Sequence, residues 1–414
     1  MGKDSRSEKY EQVLVTAAPH AVTEEGFFAV ESKVGPGLIR RCSGSSKEQL
    51  IVSPRDFRYT KDKYPVVFDK DEKIYFYSLY NWENTIADVD SGVISRIGRL
   101  LTFSKQLPCI TWRLWKEMAN WDSMVSVATP YPPVGILTNI LGYLRRKKRT
   151  FWIDTDIEGF WEWQMKSASI PKALYLKLLQ IIYSTTVGFC VRTSQETWAS
   201  GDDVVMRYRT RGNVVKVGWA IPEKGMISAM ELEDKIARIH ERNLRLMTAS
   251  TLIPMKGVQY AIEAARIFIK EMGIPASLDI YGEGHMRSIL EHMVEQYELI
   301  DAVHFKGTVT YGDQFYACLR EHDCVLITDL PGPLSRTLFD ALAQGTAVIA
   351  SDTEAYKGVV CDGWDALLVA PGDPAGLAAA VERLHRDRKL LSEIIRNGAE
   401  TAKKYTVKTP SQSC

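Results

Sequence analysis

Four short segments in the second half of the chain carry residues whose types and spacing suit phosphate and sugar chemistry. In STLIPMKGVQYAIEAA, Lys256 and Gly257 close a loop at the start of a helical pattern. A lysine there, beside free backbone N–H groups, can clamp a pyrophosphate, although Lys-Gly before a helix is also an ordinary loop ending. In LDIYGEGHMRSILEHM, Gly282 and Gly284 permit a sharp strand-to-helix turn and close approach of backbone to a ligand, or simply a turn. VHFKGTV closes a strand at Gly307, and the backbone there and at Thr308 can meet a nucleobase edge-on. In TDLPGPLSRTLFDALAQGTAVIASD a tight turn feeds a helix whose first turn carries Ser335, Arg336 and Thr337. Free N–H donors at such an end stabilise an anion by about 0.3–1 kcal/mol, and up to about 2 when partly buried. Asp340, one turn further in, is placed to accept hydrogen bonds from a ribose diol. Its apolar neighbours Leu338, Phe339, Ala341 and Leu342 fit poorly with a plain surface role.

Positioning these groups requires strands that end where the loops begin. From about Asn243, strands are expected at 244–250, 276–282, 302–307, 323–328, 346–351 and 366–370, with helices between them. Val258, Ala261, Ile262, Ala265 and Ile269 share one face of the first helix. Such alternation implies a parallel sheet with right-handed crossovers, the doubly wound α/β arrangement. The first half repeats the theme, with strands expected at 12–17, 49–53, 73–79, 123–129, 150–154, 187–191 and 213–219. GWAIPEKG (218–225) separates the two sets. It suggests an N-terminal Rossmann-like domain over 1–222, a C-terminal one over 223–405 and a disordered tail over 406–414. Two such domains bind ligands in a cleft between the carboxyl ends of their strands, a property shared by several enzyme classes.

Composition narrows the classes. A chain of 414 residues suits two domains, and a net charge of +1 gives no global signal for a polyanion, so no nucleic-acid partner is expected. The seven scattered cysteines contain no Cys-x-x-Cys pair, which argues against a disulfide framework or a zinc site and fits a reducing cytoplasm. The N-terminal MGKDSRSEKYEQ lacks the apolar core of a signal peptide. No run reaches the about 18 apolar residues of a membrane span. A dinucleotide oxidoreductase would need G-x-G-x-x-G after the first strand, which VLVTAAPHAVTEEG does not supply.

Taken together, TLIPMKG (251–257), GEGHMR (282–287), FKG (305–307) and FDALAQGTAVIA (339–350) resemble the C-terminal domain of the retaining GT-B glycosyltransferases of family 4, glycosyl transferases group 1. The resemblance covers about residues 243–400 and is fainter in the first half. It implies a GT-B fold of two Rossmann-like domains facing across a cleft, and transfer of a hexose from a UDP- or GDP-linked donor to an acceptor hydroxyl with retention. It also implies no metal and no cofactor beyond the nucleotide sugar. Donor contacts would fall on Thr251, Lys256, Gly257, Gly282, Gly284, Gly307, Thr308, Ser335, Arg336, Thr337 and Asp340. The family's loop arginine falls at Thr251, the first glutamate of its E-x7-E motif at Gly332, and the second at Asp340. Arg336 is expected to replace the lost charge, and Asp329 is the nearest acid upstream of Gly332.

For the acceptor side, His20, in a loop after the first strand, and Asp154 and Asp156, at the end of TFWIDTD, are candidate catalytic groups beside Lys256. A solvated histidine and helix capping are the plainer alternatives. VGILTNILGYLRRKKRTFW joins an apolar helix to Arg145, Arg146, Lys147, Lys148 and Arg149, and IPKALYLKLLQIIY is apolar with two lysines. Both suit docking on an anionic membrane surface at the inner face of the membrane, with a carbohydrate or lipid-linked acceptor in polysaccharide or glycolipid synthesis. A solvated loop beside core helices is the alternative. A GT-B protein without catalysis, acting as a binding or scaffolding partner, is the rival from another class.

Overall fold

The computed structural model describes residues 10–15, 20–22, 28–30, 49–55, 66–68, 74–81, 93–128, 133–166, 168–200, 202–216, 221–222, 225–239, 243–331 and 334–407. By internal contacts the chain divides into two compact units. The first holds residues 1–154, 169–200 and 204–217, and the second holds 155–168, 201–203 and 218–414.

The first unit is built on a ten-stranded sheet. Its strands are β1 (Tyr10–Val15), β2 (His20–Val22), β3 (Phe28–Val30), β4 (Gln49–Arg55), β5 (Val66–Phe68), β6 (Ile74–Asn81), β7 (Trp121–Ala128), β8 (Lys148–Ile153), β9 (Glu196–Ala199) and β10 (Val214–Lys216). The parallel strands run β6-β4-β1-β7-β8-β9-β10, and β2, parallel to β4, starts a margin in which β3 and β5 pair antiparallel. The helices α1 (Val93–Glu117), α2 (Val134–Leu144), α4 (Ile170–Thr193) and α5 (Asp202–Tyr208) connect the later strands, while α3 (Ile157–Met165), which follows β8 in the chain, belongs to the second unit. Val13, Val15, Val52 and Met124 of the sheet form one core with Ile110, Leu114, Val134 and Leu141.

One expected strand is overturned. Residues 187–191 lie inside α4, where Tyr183, Val187, Cys190 and Val191 are buried at helical spacing. A valine-rich pentad reads as strand locally, but its apolar period continues the helix begun at Ile170. That helix is also long and apolar enough, by length and composition, to cross a membrane.

In the second unit β11 (Ile221–Pro222) precedes a six-stranded parallel sheet. Its strands are β12 (Leu244–Ala249), β13 (Ala276–Tyr281), β14 (Val303–Gly307), β15 (Cys324–Ile327), β16 (Ala347–Ser351) and β17 (Leu367–Val369). They are ordered β14-β13-β12-β15-β16-β17, the Rossmann order with its reversal between β12 and β15. The helices are α6 (Ala229–Ile239), α7 (Val258–Arg266), α8 (Arg287–Gln296), α9 (Asp313–Glu321), α10 (Arg336–Ala343), α11 (Pro374–Arg386) and α12 (Arg388–Lys403). Strand alternation splits the core cleanly. Leu246, Leu326 and Ile349 face α7, α8 and α11, while Met247, Val325 and Val348 face α9 and α10. The expected apolar face of α7 holds through Ala265. A π-helical turn (Ile267–Glu271) then buries Phe268 where the α-helical period placed Ile269. Thr406 and Val407, expected in a disordered tail, form β18 (Thr406–Val407) and pair parallel with β11. Residues 408–414 lie outside the described set.

Candidate functional site

The loops that follow β12, β13, β14 and β15 are tied together by backbone hydrogen bonds at the carboxyl end of the second sheet. Leu252 N–H donates to the Glu283 carbonyl (2.9 Å), Gly282 N–H to Gly307 (2.7 Å) and Leu330 N–H to Met255 (2.9 Å). This is the reversal point of the sheet, where doubly wound folds bind ligands. All donor-site candidates of the sequence, Thr251 to Asp340, lie in this unit.

Lys256 ends a short 3-10 turn, and Gly257, in a left-handed conformation (φ 62°), opens α7. The glycine is obligatory: a Cβ there would stand 2.1 Å from the Thr328 carbonyl oxygen. The Thr328 hydroxyl in turn donates to the Lys256 carbonyl (2.9 Å). Gly282 (φ 126°) and Gly284 bring their loop against the Ser250 and Leu252 carbonyls. Gly307 closes β14 with φ 68°, and Thr308 and Thr251 are exposed beyond their strands.

Two side-chain networks meet around α10. In the first, the Lys256 ammonium lies 3.0 Å from the Asp329 carboxylate, which also accepts from the Tyr356 hydroxyl at 3.3 Å. Burial pushes the Asp329 carboxyl above the usual carboxylate range, against the pull of Lys256. Ser335 is the residue before α10, but its hydroxyl makes no capping bond, and the Thr337 hydroxyl donates to the Ala249 carbonyl at 3.1 Å.

The second network is centred on Arg336. Its guanidinium stacks over the Tyr311 ring, 4.0 Å from the centroid, donates to the Tyr311 oxygen, and sits 3.7 Å from Asp340 one turn on. Tyr311 donates to Asp340 (3.1 Å) and meets the Tyr316 hydroxyl at 3.0 Å. Arg336 and Lys256 are thus alike in each being paired with a buried carboxylate of their own unit, Asp340 and Asp329. Asp340 is 3 % exposed, and burial raises its pKa to about 6, against the attraction of Arg336 and the Tyr311 hydroxyl. Gly332, at the place of the missing glutamate, lies outside the described residues.

A raised folded-state pKa means that protonation favours the fold. The contribution is fully present below the unfolded value near 4 and is lost as pH rises through about 6. Two units correspond to at most about 3 kcal/mol. Asp340→Asn is therefore expected to gain stability relative to wild type between pH 4 and pH 7, read from denaturant midpoints at both values. A constant difference across that range would contradict the assignment.

On the acceptor side, Asp156 caps α3, accepting from Gly159 N–H at 3.1 Å, so capping is its observed role. Asp154 accepts from the Ser200 hydroxyl (2.9 Å), which accepts from the Trp152 indole (2.8 Å). His20 is the first residue of β2, paired with Val30 and Arg55, rather than a loop residue. Its side chain lies outside the described set.

The five cations from Arg145 to Arg149 do not form one exposed patch. Arg149 is 4 % exposed and donates to Asn139 Oδ1 (2.8 Å) and to the hydroxyl (3.1 Å) and carbonyl oxygens of Thr193. Strand alternation in β8 turns it inward and Lys148 outward. Lys147 donates to the Trp121 carbonyl at 2.5 Å, and Arg145 stacks 4.2 Å over Trp115. Arg149→Met is expected to cost about 2–3 kcal/mol, because it leaves buried acceptors unsatisfied. Lys148→Ala should stay within about 0.5 kcal/mol. Equal denaturation midpoints for the two variants would refute the distinction.

Tyr311, Tyr316 and Tyr356 were not singled out by sequence. The only signal for Tyr311 was an aromatic residue just beyond the FKG strand end, in TVTYGD.

Residues 229–401 match the family described as "Glycosyl transferases group 1". The lipopolysaccharide core biosynthesis glycosyltransferase LpsD of Rhizobium meliloti (strain 1021) is 34% identical over 122 residues, 30% of this chain and 35% of that protein. LpsE of the same organism is 25% identical over 228 residues, 55% and 60% of the two chains. The chain therefore spans between about a third and three-fifths of these relatives. Among solved structures, HepE from Anabaena in complex with UDP and glucose superposes with a TM-score of 0.66 at 13% identity, covering 96% of this chain and 95% of that one. Sucrose-phosphate synthase from Thermosynechococcus elongatus gives 0.66 at 14% identity, with 96% and 95% covered. The chain has the GT-B fold of paired Rossmann-like domains, and its residues 229–401 match the glycosyl transferases group 1 family.

Proposed function

We propose that the protein is a glycosyltransferase that moves a hexose from a nucleoside-diphosphate sugar to an acceptor hydroxyl with retention. The observation that carries this reading is the assembly of the Lys256 turn, the Gly282 and Gly307 loops and the N-terminus of α10 at the reversal point of one Rossmann sheet. Departure of the diphosphate leaves an oxocarbenium-like sugar. The Lys256 ammonium and the α10 N–H groups would then stabilise the leaving anion by preorganised electrostatics. The resemblance of the sequence to retaining enzymes supports retention, and no metal enters the scheme. HepE binds UDP and UDP-glucose, which favours a UDP-linked donor here. The relatives named for lipopolysaccharide core synthesis favour a lipid-linked acceptor handled at the inner face of the membrane, and the role of orienting it is assigned to Asp154.

One observation favours the scaffolding alternative. Both carboxylates near α10 are already engaged, Asp329 by Lys256 and Asp340 by Arg336 and Tyr311. Calorimetry with UDP, GDP, ADP and CMP separates the readings. Saturable binding of one diphosphate that is lost in Asp340→Ala supports the transferase. Absence of binding by all four would leave only the scaffold.

A further inference from the structure

The helix α4 is apolar on two opposite sides. Its inner side, including Leu176, Tyr183, Val187 and Val191, is buried in the first unit. On the other side Ile170, Leu174, Leu178, Ile182 and Phe189 follow one another at intervals of four and seven residues, a single helical stripe, and are 38% to 78% exposed. The stripe is about 30 Å long at 1.5 Å per residue. At its C-terminal end it passes onto α2 through the edge contact of Phe189 with Tyr143, centroids 5.2 Å apart, beside the exposed Leu144. Single exposed leucines are common on soluble proteins, but a continuous row of this size marks a contact surface.

Every charged residue in α4, and in the stretch from α2 through β8, is basic. Neither 134–153 nor 170–193 contains Asp or Glu, and α1 contains only Glu117, in a chain whose totals are 52 basic and 51 acidic residues. Lys116, Arg146, Lys148, Lys172, Lys177 and Arg192 are exposed on these same elements. A second copy docking by this face would bring cations against cations. An anionic lipid surface satisfies the stripe and its rim together. The buried inner side ties α4 to its own unit, so the helix would lie along the interface instead of crossing it.

We propose that this face of the first unit docks on an anionic membrane, with the α4 stripe in the acyl boundary and Lys172 and Lys177 among the headgroups. The apolar contact thus belongs to α4, with the run from Arg145 to Arg149 contributing only its exposed members. Docking does not depend on the sugar-transfer reading.

The test is co-sedimentation of the full chain with phosphatidylcholine vesicles, with and without phosphatidylglycerol. It compares wild type, L174E/L178E/I182E and K172E/K177E, each checked by circular dichroism, since the changed positions are exposed. Wild type should partition onto the anionic vesicles. The stripe variant should lose binding at least about tenfold and the lysine variant several-fold, with nucleotide calorimetry unaffected. No preference for anionic vesicles, or unchanged binding by the stripe variant, overturns the proposal. So does a dimer, seen by light scattering, that the stripe variant dissolves without any vesicle binding by wild type.

Discussion

Replacing Lys256 with Ala is expected to lower turnover of the nucleotide-sugar donor by about 10²–10³-fold, the range for removing one preorganised donor to a developing anion. Threonine stands at position 251, and the proposed donor site draws on Lys256 in the turn that opens α7. Asp329 holds the ammonium in place at 3.0 Å. The single variant leaves Asp329 buried without its cation, so lost activity alone would be ambiguous. The double variant Lys256→Ala/Asp329→Asn resolves this by removing the orphaned charge. Stability should recover while kcat stays low. Recovery of kcat in the double variant would show that the lysine serves the fold and not the leaving group.

Gly282→Ala is expected to destabilise the second unit by about 3–5 kcal/mol, combining a backbone clash with a strained dihedral. The added Cβ would meet the Ser250 carbonyl oxygen at 1.8 Å, and φ is 126°. That carbonyl cannot yield cheaply, because the Ser250 N–H is itself bonded to the Tyr281 carbonyl at 3.0 Å at the end of the sheet. Gly273 is the control. It also has positive φ (66°), but nothing lies within 4 Å of its Cβ position. Gly273→Ala should cost about 1 kcal/mol. At about 2–4 °C per kcal/mol the Gly282 variant should melt roughly 10 °C lower. Similar melting of the two variants would mean that the loop after β13 is not built as described.

These sites differ in how far the sequence reveals them. Second-unit strands such as 244–249 and 347–351 were legible because β-branched and apolar runs stop at loop or glycine signals, and their neighbours have clear helical period. The glycine turns and Lys256 were legible for the same reason, since local backbone demands write themselves into local residue types. Residues 187–191 misled, because a short valine-rich run fits strand and buried helix equally and only the pattern from Ile170 onward decides. Arg149 was hidden among four other cations, and only the strand assignment of 148–153 shows which one turns inward. The hydroxyls of Tyr311 and Tyr356 reach Asp340 and Asp329 from loops after different strands. No spacing in the chain encodes such a meeting, and it becomes visible only after the sheet order is fixed.

The short pairing of Ile221–Pro222 with Thr406–Val407, reinforced by Ile221 N–H donating to the Tyr405 carbonyl at 2.9 Å, has a consequence for modularity. The segment from 221 to 407 enters and leaves at neighbouring points, so it is nearly a closed loop of chain. Moving it into a different host polypeptide would therefore need one short strand pair preserved at its ends, together with the contacts that residues 155–168 and 201–203 make with the same unit.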